Sequence, residues 1–181
     1  MKKNGLFKIA LGLDTPNAGA RHFYGRKALN LHETERMLHH LKHEIGIQVS
    51  VYLLLGSPDE TEQSMLQTVN YAKHLYPRFC TFVMGTFVTP FPGTEIFKTF
   101  QEKNLLTTRD WKKYGFGMPV FKMRIAPEKA SRMYSKLWMD VYARPVVLRE
   151  IFSNLVSRNR FRRALAKNFL LMPLQMVKLS R

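Results

Sequence analysis

Hydrophobic positions along the chain change their rhythm twice in each of three stretches. The clearest is the run Val49-Ser50-Val51-Tyr52-Leu53-Leu54-Leu55, continuous and rich in β-formers, which stops at Gly56 and gives way to a helical rhythm with Met65, Leu66, Val69, Ala72 and Tyr76 on one face. A strand apolar on both sides that feeds a helix predicts a buried parallel strand and its crossover. Between them lies Gly56-Ser57-Pro58-Asp59-Glu60-Thr61. Its residue types predict an N-cap at Ser57, a first helical residue at Pro58 and a capping box closed by Glu60. Pro77 ends the helix.

The same grammar recurs on either side. Leu6 to Leu13 is a strand closed by the turn-forming Asp14-Thr15-Pro16-Asn17, followed by a loop with Arg21, His22, Tyr24, Arg26 and Lys27. Asn30 with Glu33 caps a helix whose stripe is Leu31, Met37, Leu38, Leu41 and Ile45, and Gly46 ends it. Phe79 to Val88 reads as a third strand, and Thr89-Pro90-Phe91-Pro92-Gly93-Thr94 as a fixed turn before a short helix from Glu95 to Lys103. Three βα units at a spacing of about forty residues predict right-handed crossovers and an α/β fold with a parallel sheet. Such a sheet needs cover on both faces and more strands to close, so the pattern predicts part of a larger architecture, with the first strand as an adhesive edge and a chain prone to self-association.

Beyond Leu105 the pattern loosens. An aromatic, basic stretch from Thr107 to Tyr114 precedes Pro119-Val120-Phe121-Lys122, and Pro127 opens an amphipathic helix to about Ala143 carrying Met133, Leu137, Trp138 and Val141. After Pro145, helices are predicted over Val146–Val156 and Phe161–Met172, with Pro173 breaking the second. The organisation read from this is a partial barrel over residues 1–121 and a basic helical extension over 122–181.

Charge sharpens the picture of that extension. With 29 Lys and Arg against 13 Asp and Glu the net charge is +16, and from Lys122 onward fourteen basic residues face Glu128, Asp140 and Glu150 alone. An anionic partner is expected. The cluster Arg158-Asn159-Arg160-Phe161-Arg162-Arg163 beside Phe169-Leu170-Leu171-Met172 suits a helix on anionic lipid, through residues 144–181, or one packed on the barrel or on a neighbouring subunit. Nucleic acid is disfavoured, because the basic run is interleaved with aliphatics and matches no nucleic-acid module. No run approaches the roughly 18 apolar residues of a membrane span, and the amino terminus makes a poor signal peptide. A cytoplasmic location is expected, peripheral on the inner membrane face if the tail binds lipid. His39 and His43 have the spacing of a metal pair without a third ligand, so no metal is assigned. Cys80, the single cysteine, excludes an internal disulfide and a cluster held by this chain's thiolates, and packs as a small apolar residue.

Together these residues resemble the carboxyl-terminal half of a radical S-adenosylmethionine enzyme of the branch that carries a cobalamin-binding domain, the branch of the magnesium-protoporphyrin ester cyclase and hopanoid methylase. Gly12-Leu13-Asp14-Thr15 with Lys27 looks like its Gly-x-Glu-Ser strand end and following lysine. Gly56 to Thr61 looks like its Gly-x-Pro-Gly-Glu-Thr turn, and Thr89 to Thr94 like its Thr-Pro-Tyr-Pro-Gly-Thr turn. Asp110-Trp111, Tyr114, Pro119 and Tyr142-Ala143-Arg144-Pro145 resemble the tail of the branch. The resemblance spans residues 6–150. It implies a partial barrel in which a 4Fe–4S cluster, held elsewhere by Cys-x-x-x-Cys-x-x-Cys, turns S-adenosylmethionine into a 5′-deoxyadenosyl radical. It places Asp14 where a glutamate touches S-adenosylmethionine, Gly56 and Ser57 against the adenosine, and Thr89 to Thr94 on the pocket floor. Gly12, Thr15, Lys27, Glu60, Pro92 and Gly93 complete the implied cofactor-binding set.

Asp14 is one methylene shorter than the family glutamate, Asp59 replaces a glycine, and the three-cysteine motif is absent. The reading is therefore the carboxyl half of a methyltransferase or oxidative cyclase, inactive alone and needing an amino-terminal half with the cluster and cobalamin. The alternative is a non-catalytic basic module that binds membrane or a partner protein through its terminal helices.

Overall fold

The computed structural model describes residues 2–25, 27, 29–115, 118–158, 160, 163, 164, 166 and 167. Three strands, β1 (Lys8–Asp14), β2 (Gln48–Leu55) and β3 (Phe82–Phe87), form one parallel sheet in the order β1-β2-β3. Lys8 pairs with Gln48, and Ser50 with Phe82. The first crossover holds α1 (Ala18–Phe23) and α2 (Leu31–His39), and the second holds α3 (Glu62–Leu75). After β3 come α4 (Glu95–Glu102), α5 (Pro127–Tyr142) and α6 (Pro145–Leu155). The chain divides into two compact units, Met1–Val141 and Tyr142–Arg181.

Strand alternation separates two sheet faces. Leu13, Val49, Val51, Leu53, Leu55, Val83 and Phe87 are buried. On this face α5 lies against β3: a side chain at Gly85 would meet the Trp138 ring at 2.4 Å, the Tyr134 hydroxyl donates to the Gly85 carbonyl at 2.7 Å, and Tyr134 packs on Phe87. Right-handed crossovers between neighbouring strands carry the other helices to the same side, where Met65, Val69, Ala72 and Leu75 of α3 are buried. The opposite face is left partly open. Ala10, Gly12 and Tyr52 are exposed there, and Leu54, Phe82, Met84 and Thr86 are half-buried, with only the small Ser50 fully covered. Among the described residues β1 and β3 are both edges.

Several boundaries differ from the sequence reading. The third strand begins at Phe82 instead of Phe79, because the Phe79 and Cys80 amides bond back to Leu75 and close α3, and the ladder starts at Thr81 N–H to Val49. The loop containing Arg21 holds α1, capped by the Asn17 side chain. Helix α2 continues as a π-helical turn, His40–Glu44, before Gly46 at φ +71°. The predicted 161–172 helix lies largely outside the described residues.

Cys80 is fully buried and its thiol is pushed up to about 12 by burial; burial likewise raises Tyr71 and Tyr134 to about 12. Each group holds its proton in the folded state beyond the pH at which the unfolded chain releases it. Stability is therefore expected to fall as pH rises from about 9 to about 12, each group adding up to about 1.4 kcal/mol per pH unit in its window. Urea titrations at about pH 7, below that window, and at about pH 10.5, within it, check the sign, and Cys80 is expected to resist alkylation at neutral pH until the chain unfolds.

Candidate functional site

The carboxyl ends of the three strands bring together the turns after β1, β2 and β3. At the first, a bulge between Gly12 and Asp14 shifts the register, so that Gly12 pairs with Tyr52 and Asp14 with Leu53. Asp14 has φ +59°, a left-handed conformation that few non-glycine residues adopt and that is stable only when its surroundings impose it. Arg21 imposes it. Its Nη1 donates to the carbonyls on either side of Asp14, Leu13 at 2.7 Å and Thr15 at 3.2 Å, while Nε donates to the Lys27 carbonyl at 2.7 Å. Thr15 is buried and its hydroxyl meets that of Thr68 on α3 at 3.2 Å. Asp14 is 9% exposed, and its Oδ1 lies 3.7 Å from where a Gly12 side chain would begin. Glycine at 12 keeps the open sheet face clear beside this carboxylate.

At the second turn the predicted cap is replaced by a different device. Ser57 does not cap a helix. The Ser57 carbonyl accepts from the Glu60 amide at 2.9 Å in a β-turn, and α3 starts at Glu62 with Thr61 as its cap. Thr61 accepts from the Ser64 amide at 3.1 Å and the Ser64 hydroxyl accepts from the Thr61 amide at 2.9 Å, a capping box made one turn later than Ser57 and Glu60 suggest. Glu60 is thereby released for another task. The residue is 3% exposed, and its carboxylate folds back to accept from the Gly56 amide at 2.8 Å and from the Ser64 hydroxyl. Gly56 sits at φ +90°, with Phe87 and Phe121 at 3.0 and 3.1 Å from any side chain placed there, and Met123 next to them. Only glycine fits, and the apolar wall behind it excludes water.

The third turn divides. Val88 continues the ladder to Leu55, Thr89 is half-buried, and Pro92, Gly93 and Thr94 are exposed. Thr94 caps α4 through the Phe97 amide at 3.2 Å. Lys27 is exposed and meets the site through its carbonyl.

Two contributors carry no signal in the sequence beyond that of loop residues, Arg21 and Tyr24. The Tyr24 hydroxyl is buried and has no hydrogen-bond partner among the described residues. Burial raises its pKa far above the usual range, and the Glu60 and then the Asp14 carboxylates raise it further, which places both within electrostatic reach of the phenol. The site thus presents two buried carboxylates and one unsatisfied phenol at a strand-end edge. Such a set accepts hydrogen bonds from hydroxyls or a cationic group, and donates one. His39, His40 and His43 are elsewhere: His40 meets Glu44 at 2.7 Å, His39 Glu44 at 3.7 Å, and His43 the Arg78 carbonyl at 2.9 Å. Among the described residues no group of His, Cys, Asp or Glu is placed to hold a metal ion. No described helix is long and apolar enough to cross a membrane.

No protein-family model matches the chain. Its sequence is similar to an uncharacterized methyltransferase of Pyrococcus horikoshii, 28% identical over 156 residues, covering 85% of this chain and 33% of that protein. It is also similar to two proteins of Chlorobaculum tepidum: bacteriochlorophyllide d C-8(2)-methyltransferase (24% over 168 residues, 87% and 36% covered) and bacteriochlorophyllide d C-12(1)-methyltransferase (25% over 151 residues, 82% and 32%). The chain spans about a third of the length of the curated relatives it matches.

Proposed function

We propose that this chain forms the S-adenosylmethionine side of a methyltransferase of the radical type, a barrel segment that acts with an amino-terminal part supplying the remaining strands. What supports the reading is the meeting of three turns at one edge of a sheet wound in a single direction, with helices on one face and the other face open. A parallel barrel is wound that way, and its ligands sit at the strand carboxyl ends. The similarity to proteins named methyltransferases points the same way.

The residues fit S-adenosylmethionine. Asp14 would accept from its ammonium or ribose hydroxyls, the orphan Tyr24 hydroxyl would donate to an oxygen, and the Gly56 turn, locked by Glu60, would offer a dry backbone edge. Bound there, S-adenosylmethionine supplies an activated methyl group or, with an electron from a cluster, a hydrogen-abstracting radical. The chain's own residues do not fit a 4Fe–4S cluster, for Cys80 is its one cysteine, buried and with a raised pKa. Cluster and cobalamin would belong to the other part.

The test joins this chain to the reading frame encoded beside it. We expect 5′-deoxyadenosine or methylated product only when a partner with Cys-x-x-x-Cys-x-x-Cys is present. Asp14→Ala should weaken S-adenosylmethionine retention at least about tenfold, the value of one lost charged hydrogen bond. Tyr24→Phe should leave the chain as stable or slightly more stable while also weakening retention. Undiminished retention in both variants would show that the cosubstrate binds elsewhere.

A further inference from the structure

We propose that α6 docks this chain on an anionic lipid bilayer. The helix carries two apolar surfaces. Val147 and Ile151 are buried, whereas Leu148, Phe152 and Val156, at i, i+4 and i+8, form a continuous stripe that is 54%, 67% and 69% exposed. Three large apolar side chains in line on one helix, left in water, are what an interfacial helix inserts among acyl chains.

The charges around the stripe fit a negative surface. Arg149 borders it, and Arg158 follows the helix end; both are exposed, as are Arg160 and Lys167. Glu150 is the one acidic residue from Tyr142 to Arg181, against nine basic ones. It projects from the side of the helix away from Phe152, toward the Asn154 amide at 3.4 Å. A convex stripe flanked by arginines suits a bilayer surface, which supplies both the apolar layer and the anionic headgroups. A protein partner would need a matching acidic groove. Since no described helix is able to span a membrane, α6 would lie in the interface.

The test is co-sedimentation of the full chain with vesicles of phosphatidylcholine alone and of phosphatidylcholine with about one third phosphatidylglycerol. Binding is expected to the second only, and to fall as salt rises from about 50 to about 500 mM. Phe152→Ser with Val156→Ser, and separately Arg149→Glu with Arg158→Glu, should each weaken it at least about tenfold. All four side chains are exposed, so circular dichroism and melting should match the parent. Unchanged binding in both variants, or equal binding to neutral vesicles, would overturn the proposal. So would light scattering that shows a dimer converted to monomer by the serine pair, since a second copy would then cover the stripe.

Discussion

Gly85→Ala is expected to destabilise the chain by about 3 kcal/mol, the upper end of the cost of overpacking a core. A methyl group at residue 85 would stand 2.4 Å from Trp138 Cζ2, 3.2 Å from Cε2 and 3.3 Å from Cη2. No tolerable contact is that short, so the ring must move. The ring has little freedom: Trp138 is buried, it packs edge-on against Tyr134, and Tyr134 is tied to the Gly85 carbonyl and packed at a tilt on Phe87. Displacing it shifts α5 from β3 and breaks that hydrogen bond. For a chain of this size the loss corresponds to a melting temperature lower by about 10 °C. Denaturant titration of Gly85→Ala, Trp138→Leu and the double variant gives the decisive reading. If the clash is the cause, the alanine should cost far less on the leucine background, a coupling of at least about 1 kcal/mol. Additive losses would mean that residue 85 acts through the backbone and not through Trp138.

That contact illustrates what a single sequence conceals. The strand-to-helix alternation is local, and β2 was read as Val49–Leu55 where it runs Gln48–Leu55. Its neighbours were legible in place, though not in their bounds, because apolar runs and the turn clusters Asp14-Thr15-Pro16-Asn17 and Thr89-Pro90-Phe91-Pro92 act within a few residues. Gly85, by contrast, is a glycine in mid-strand whose reason lies more than fifty residues away on α5. Likewise the turn at Gly56 was visible as a motif, but its logic was misassigned. Ser57, Pro58 and Glu60 match a helix start; Thr61 and Ser64 match one as well, and the choice between them rests on the buried Glu60 carboxylate finding the Gly56 amide. α1 escaped notice because six residues are too few for a periodic stripe. Of the implied site, Asp14, Gly56 and Glu60 converge, but the phenol beside them could not be told from a loop tyrosine, since the two carboxylates that act on it, Asp14 and Glu60, come from different turns.

Arg21→Met should be the more damaging change at the site itself. The guanidinium is buried and gives charged hydrogen bonds to three carbonyls, those of Leu13, Thr15 and Lys27, so methionine fills the volume and satisfies none of them. Losing bonds of this kind with their acceptors left buried costs about 3–5 kcal/mol. The consequence extends beyond stability. Two of those carbonyls flank Asp14, whose left-handed backbone is an unfavourable state maintained by its surroundings; released from Arg21, the residue is expected to relax toward the extended region and carry its carboxylate off the edge of the open face. Ligand retention should then fall by as much as in Asp14→Ala, though Arg21 touches no ligand in this reading. Two further variants separate positioning from bulk stability. Arg21→Lys, which keeps the charge but cannot span three carbonyls, should recover part of the stability and little of the retention. Asp14→Gly relieves the backbone and removes the carboxylate, so on that background Arg21→Met should affect stability less and retention not at all. If Arg21→Met instead lowers stability while S-adenosylmethionine retention, measured below the melting range, stays at the parent value, Asp14 does not depend on Arg21 for its place.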